Sequence, residues 1–219
     1  MTQIDLYQQA TQHLAGLDKD LAQLISRVGV CKHQTRPARE PYEALIRAVA
    51  YQQISVRVGD SMINKLLALS PTNEFLAPTA IAQLSYDQLR ACGFSSRKIE
   101  TIQQIAKGAL SGLVPSLAQA LEMKDEELIQ CLTSIKGIGL WSVEMFLIYS
   151  LERADIMPID DFGIKEGYRF LKSLNEMPTR KELAGFSALC SPYRTVASWY
   201  LWRAVELPDY KKLARKTSV

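Results

Sequence analysis

An all-α fold is what this sequence predicts, on three observations. Apolar residues recur at the three-to-four-residue spacing of helices along nearly the whole chain, and strand-like alternation is almost absent. The segments between periodic stretches are short and punctuated by Pro, Gly and Ser. Of the 219 residues, 47% are hydrophobic, enough for a real core in one domain or two small lobes, and enough to exclude a disordered or fibrous chain.

Taken in order, residues 7–14 and 17–28 read as an opening helical pair. The polar, basic stretch 29–40 is a connection, with Pro37 and Pro41 marking the next helix start. Helices over 42–52 and 56–69 follow, and Ser55 is placed to cap the second. Pro71 and Pro78 punctuate the next loop, before short helices over 78–84 and 86–92, the latter stopped by Gly93. Ser95 or Ser96 begins a helix that runs through Leu110. Asp125 can cap a short helix over 125–132 whose apolar stripe is Leu128, Ile129 and Leu132. Another helix spans 140–150, and one more begins near Phe162. No internal repeat, low-complexity tract or long linker interrupts them.

A formal net charge of +3 is compatible with a polyanionic partner but does not require one. The basic tail Lys211-Lys212-Leu213-Ala214-Arg215-Lys216 can touch phosphates, but a solvated terminus is the simpler and preferred account. Cys31, Cys92, Cys131 and Cys190 are scattered, without the close pairs of zinc or redox centres, and read as reduced thiols. His13 and His33 lie far in sequence from the acidic pair Asp160-Asp161, which gives a histidine metal site little support. The first residues carry no basic region leading into an apolar run, and no segment is long enough to span a membrane, so a soluble intracellular protein is expected.

The most informative stretch is Ile135-Lys136-Gly137-Ile138-Gly139-Leu140-Trp141, between two helical segments. Gly137 and Gly139 can take positive φ and carry no side chain to block another backbone. Such a turn delivers unpaired N–H groups to the start of a helix, where the helix dipole reinforces them as a site for one phosphate. The result is a helix-hairpin-helix element. Alone, a Gly-x-Gly turn is as readily an ordinary helix connector. What raises it is the spacing to Pro158-Ile159-Asp160-Asp161, where an acidic pair precedes a helix. Either acid could simply cap that helix, and two together allow one to serve the helix while the other faces a pocket.

In these ordered motifs the chain resembles the helix-hairpin-helix DNA glycosylases, and among them the 3-methyladenine glycosylase II group, which removes alkylated purines from DNA. The resemblance runs from about Glu40 to Trp202, with the segment from Leu45 through Gln52-Gln53-Ile54 to Ser55 and the segment from Ser191 to Trp202 as outer landmarks. It implies an architecture that periodicity cannot reveal. A central helical lobe over 37–152 would end in the hairpin, a second lobe would form from 1–36 and 153–219, and DNA would lie in the cleft between them.

The resemblance also implies roles. Asp161, the second acid, would be the catalytic carboxylate, stabilising the positive charge that builds on the sugar as the base departs, with Asp160 left as the structural acid. An alkylated purine is already cationic and leaves readily, which removes the need for a strong general acid. Trp141 and Trp202 match base-pocket positions, where a desolvated cationic base gains about 1–2 kcal/mol over an aromatic face. As isolated residues both would read as core aromatics. Phe162 would form another wall of the pocket, together with Met145, where some relatives carry an aromatic residue. Trp141 also stands where bifunctional relatives carry an attacking lysine, which implies hydrolysis without a Schiff base or strand cleavage.

Gln53 matches the residue inserted into the gap left by a flipped nucleotide, with Ser55 near the same minor-groove surface. Lys136, Gly137, Ile138, Gly139 and Leu140 would contact the DNA backbone. The backbone carbonyls of Thr133, Ile135 and Gly137 match those that hold a monovalent cation against the phosphate. The four-cysteine motif of endonuclease III relatives is missing, since only Cys190 follows Asp161, so no iron–sulfur cluster and no required cofactor is expected. The implied partner is double-stranded DNA containing alkylated bases such as 3-methyladenine and 7-methylguanine. A monomer is expected, in the cytoplasm or nucleoid of a bacterium or the nucleus of a eukaryote. Two rivals stand beside this reading: a glycosylase for deaminated or etheno-modified bases, and a non-enzymatic DNA-binding module that uses the hairpin alone.

Overall fold

The structure is a computed structural model that describes residues 3–72 and 74–210; the basic run from Lys211 to Lys216 lies outside the described residues. Those residues form thirteen α-helices and no strand. They fall into two compact units, one being Thr35–Glu152 and the other the residues up to Gln34 together with those from Arg153 on.

In the unit built from both ends of the chain, α1 (Gln3–Leu17) and α2 (Lys19–Val28) are separated by Asp18. Its carboxylate accepts from the amides of Asp20 and Leu21 at 2.9 and 3.1 Å, so a single N-cap splits the apolar periodicity into two helices. The unit is completed by α11 (Phe162–Leu171), α12 (Arg180–Leu189) and α13 (Arg194–Ala204). Central to it is α13, whose residues from Thr195 to Leu201 are all buried. Leu14, Leu21, Leu24, Ile164, Leu183 and Leu201 belong to the same core, and the buried Tyr200 donates its hydroxyl to the Gly29 carbonyl at 2.9 Å. A helix buried all round shows no amphipathic stripe, and for that reason α13 is not apparent from periodicity.

The segment leading to Asp161 is fastened to the start of α13. Burial opposes ionisation of Asp155, yet the carboxyl is held below its usual range by hydrogen bonds from Arg194 and Ser191 and by the Arg194 charge. Arg194 Nε and Nη2 donate at 2.8 and 3.0 Å, and Ser191 Oγ donates at 2.8 Å. Thr195 Oγ1 donates to the Arg153 carbonyl at 2.6 Å.

The other unit contains α3 (Pro41–Tyr51), α4 (Val56–Leu67), α5 (Pro78–Gln83), α6 (Tyr86–Ala91), α7 (Ser96–Ser111), α8 (Leu117–Glu122), α9 (Asp125–Thr133) and α10 (Leu140–Tyr149). Pro41 and Pro78 occupy first-turn positions, as proline's fixed φ favours. The long α7 packs on α3 and α5, and α10 packs on α3 and α9. Leu45, Val49, Ile63, Phe94, Ile102, Leu128, Leu132, Val143 and Phe146 fill this core.

Three capping details differ from the sequence expectation. Ser55 occupies the N-cap of α4, but its hydroxyl accepts no cap hydrogen bond. Lys124, not Asp125, is the N-cap residue of α9, and Glu127 reaches back to accept from the Lys124 amide at 3.0 Å. The helix starting near Phe162 is capped by Asp161 itself, not by Asp160.

Candidate functional site

Asp161 ends a turn closed by its own amide donating to the Pro158 carbonyl at 2.9 Å. Its Oδ1 accepts from the Ile164 amide at 2.9 Å and from the Trp202 indole Nε1–H at 2.9 Å. One carboxylate oxygen is thereby fixed between the head of α11 and a side chain of α13. Sequence allotted capping and chemistry to different acids. The structure gives the cap to the acid expected to be catalytic, because the last turn before α11 brings that acid to the N-cap position. Asp160 instead lies outside, 3.7 Å from Lys165 Nζ and 3.4 Å from Arg180 Nε, in exposed ion pairs of little energetic weight.

The approach of Trp202 to Asp161 depends on two glycines one helical turn apart. A Cβ at Gly167 would strike the backbone of Leu201, and one at Gly163 would meet Trp202 Cδ1 at 2.9 Å and Asp161 Oδ1 at 3.1 Å. Both glycines lie on one side of α11, so α13 can cross it closely enough to bring the indole to the carboxylate. Phe162, the first residue of α11, is 69% exposed. Trp202 is half-buried.

In the other unit, the turn between α9 and α10 has Gly137 at φ +93° and Gly139 at φ −99°. Only Gly137 uses glycine's left-handed freedom, and a Cβ there would also collide with the Thr101 side chain. Gly139 is the N-cap of α10, with open space where its Cβ would be. Ile138 is buried and its amide donates to the Ile135 carbonyl at 3.0 Å, so it holds the turn together instead of presenting a donor. Among the described residues, the amides of Gly137, Gly139 and Leu140 donate to no backbone carbonyl. These are exposed positions at the positive end of a ten-residue helix. Lys136 stands beside them, 86% exposed, with Glu100 Oε2 at 3.3 Å.

Further along α10, Trp141 and Met145 are both half-buried and, four residues apart, share one side of the helix. Of the carbonyls expected at a cation, Ile135 O closes the turn with Ile138, and Gly137 O accepts from Gln52 Nε2 at 3.3 Å. Each carbonyl has a second lone pair, and neutral oxygens of this kind suit a hard monovalent ion.

Gln53 lies in the turn from α3 to α4, exposed, with a backbone φ of +57°. That conformation costs a residue with a Cβ about 1–2 kcal/mol, so its surroundings must impose it. Tyr51 Oη donates to Asp60 Oδ1 at 2.6 Å, clasping the two helices on either side of the turn. Burial, with the Asp60 carboxylate, pushes the Tyr51 phenol up to about 12, so it stays a donor.

Residues 46–192 match the profile of the HhH-GPD superfamily base excision DNA repair proteins. The chain belongs to the HhH-GPD superfamily. It is 44% identical over 93% of its length to DNA-3-methyladenine glycosylase 1 of Schizosaccharomyces pombe, covering 90% of that protein. It is 37% identical to an alkylbase DNA glycosidase-like protein of the same yeast, over 92% of this chain and 95% of that one. Its fold is similar to the solved structure of the S. pombe 3-methyladenine DNA glycosylase in complex with abasic DNA, with a TM-score of 0.90 and 43% identity, covering 92% of this chain and 98% of that chain.

Within this HhH-GPD protein, the predicted site residues fall into two groups. Asp161, Phe162 and Trp202 come together in the unit formed from both ends of the chain. Gln53, Ser55, the hairpin, Trp141 and Met145 belong to Thr35–Glu152. Four residues that sequence reasoning missed complete the local geometry: Gln52, Lys98, Gly163 and Gly167. The two glycines had a legible signal in their four-residue spacing. The other two are joined only by long-range hydrogen bonds that no local pattern reveals. Burial raises the Cys31 thiol to about 11 and the Cys190 thiol to about 12, which keeps both protonated. Among the described residues, no group of three or more His, Cys, Asp or Glu could hold a metal, and no helix is long and apolar enough to cross a membrane.

Proposed function

We propose that this DNA glycosylase is monofunctional and of the 3-methyladenine glycosylase II type, excising alkylated purines such as 3-methyladenine and 7-methylguanine from duplex DNA. The observation that carries the reading is the Asp161 carboxylate, fixed at Oδ1 by the Ile164 amide and the Trp202 indole. Two fixed donors orient the group before reaction, so its negative charge needs no reorganisation as positive charge develops on the deoxyribose. The cationic purine departs with the electron pair of the glycosidic bond as a neutral base, and water adds to the sugar carbon it leaves and gives up a proton to solvent. Trp202 and Phe162, from the unit that holds Asp161, would supply aromatic surface for the extruded base. Cation–π attraction favours a methylated purine over a neutral one.

The exposed amides heading α10, with Lys136, would take a DNA phosphate, and the carbonyls of Thr133, Ile135 and Gly137 would seat a monovalent cation beside it. Gln53 would fill the gap left by the extruded nucleotide. No lysine is assigned to the pocket, so we infer no imine and no strand cleavage, and no iron–sulfur cluster is required. The protein would act as an intracellular monomer on chromosomal DNA.

Excision on a panel of single-lesion duplexes tests the reading. Release of 3-methyladenine and 7-methylguanine ahead of hypoxanthine or ethenoadenine is expected, and the reverse order would replace the assigned substrate. Borohydride should trap no covalent enzyme–DNA adduct, because trapping reduces an imine that needs an amine nucleophile. An efficient adduct abolished by Lys136→Ala would move the nucleophile to the hairpin.

A further inference from the structure

Gln52, the residue next to Gln53, is held at its backbone from α7 and at its side chain by the hairpin and α10. Gln52 is the C-cap of α3, where the last carbonyls of a helix lack intrahelical donors. Lys98, from the first turn of α7, supplies a donor to two of them: its Nζ donates to Ala50 O at 2.8 Å and Gln52 O at 3.0 Å. A cation at that end of a helix also opposes the negative end of the dipole. Burial lowers the Lys98 pKa, so the ammonium is partly desolvated, and the two carbonyls compensate for lost water. The Gln52 side chain turns the other way. Its Nε2 donates to Ser142 Oγ at 3.0 Å, in the first turn of α10, and to Gly137 O at 3.3 Å, in the hairpin.

We infer that Gln52 and Lys98 are positioning residues that couple the hairpin to Gln53, setting the distance between the captured phosphate and the side chain inserted into the DNA. The inference rests on the roles proposed above for the hairpin and Gln53. Backbone phosphate capture fixes the register of a protein on DNA, and an inserted side chain works only if it arrives at the right base step. Gln53 is in the four-residue connection between α3 and α4, in an unfavourable backbone conformation that would relax if nothing held its neighbour. Lys98 holds the backbone of that neighbour, and the hairpin and α10 hold its side chain. Movement of the hairpin would therefore be transmitted to the turn through one residue.

The test uses the full-length protein and a duplex with 2-aminopurine beside a tetrahydrofuran abasic analogue, whose fluorescence reports filling of the gap. Gln52→Leu, Lys98→Met and Gln53→Ala are each expected to slow the gap-filling phase about tenfold, while affinity for lesion-free duplex falls less than threefold. Lys98→Arg, which keeps two donors on a cation, should recover most of the lost rate. Combining Gln53→Ala with either positioning change should cost no more than Gln53→Ala alone, since all act on one step. Should Lys98→Met prevent folding, Gln52→Leu carries the same comparison, with thermal unfolding confirming its fold. A loss of lesion-free affinity equal to the loss in gap filling, or additive effects in the double variants, would overturn the coupling. If Gln53→Ala leaves gap filling unchanged, the inserted-residue role itself falls, and the coupling with it. A normal phase in Gln52→Leu and Lys98→Met beside a slow Gln53→Ala would refute the coupling alone.

Discussion

Asp161 caps α11 with the carboxylate proposed to face the reacting sugar, and that double assignment decides which substitutions are informative. Asparagine caps a helix as well as aspartate does, whereas alanine forfeits about 1 kcal/mol of cap. Asp161→Asn should therefore unfold at the wild-type temperature while Asp161→Ala unfolds lower, a contrast differential scanning calorimetry would detect. Trp202→Phe retains an aromatic face but removes the indole donor to Oδ1. About a tenfold fall in single-turnover excision is expected, on the scale of one hydrogen bond to a charged group, with little change in lesion affinity. An unchanged rate would show that the indole donor does not orient the carboxylate. Asp160→Asn should change neither stability nor rate by more than about twofold, because its partners Lys165 and Arg180 are surface ion pairs. The choice of Asp161 over Asp160 for the proposed chemistry rests only on the motif it sits in. The cap bond of Asp161 was not legible in the sequence, because either of two adjacent carboxylates can cap and the choice depends on where the preceding turn ends.

At the scale of elements, the hairpin separates two glycine effects that look alike in sequence. Gly139→Ala meets no steric obstacle and has an ordinary φ, so its fold should be unchanged while affinity for lesion-free and lesion-bearing DNA falls alike, by about tenfold, through crowding of the backbone phosphate. Gly137→Ala combines a left-handed φ with a collision against Thr101, and should lose stability by at least about 1 kcal/mol besides losing affinity. Thermal unfolding alongside fluorescence anisotropy on both duplexes distinguishes the pair, and equal destabilisation of both would contradict the assigned geometry. Of the helices on either side, α9 was readable from its apolar stripe and α10 as a nearly continuous apolar run that starts at the hairpin glycines. By contrast, α13 is buried on all sides and shows no stripe by which a period could declare itself. The Gln52 and Lys98 hydrogen bonds cross forty-six or more residues, beyond the range of any local pattern.

On the scale of the whole molecule, the charge network of the unit built from both chain ends predicts how stability depends on pH. Burial opposes ionisation of Asp18, Asp155 and Glu166, but their hydrogen bonds with Lys172, Arg194 and Arg169 outweigh it and lower all three pKa values. Carboxylates with folded pKa values below their unfolded ones contribute stability that is present at neutral pH and lost as pH falls through the folded values, which lie below the usual carboxylate range. Thermal unfolding followed from pH 7 to pH 3 should show the decline concentrated at the acidic end, and a melting temperature flat across that range would refute it. Helical class and the hairpin were legible from periodicity and glycine placement. The joining of residues from both ends of the chain into one unit was not, since it depends on the contacts of α2 with α13, far apart in sequence. The central claim is that Asp161 stabilises the transition state for loss of a methylated purine. Single-turnover release of free 7-methylguanine from a methylated duplex, compared between the wild-type protein and Asp161→Asn at saturating enzyme, tests it most directly. The account predicts release of the intact base by the wild type and a rate at least about 100-fold lower in the variant, with duplex binding retained; a variant that releases the base at the wild-type rate would contradict it.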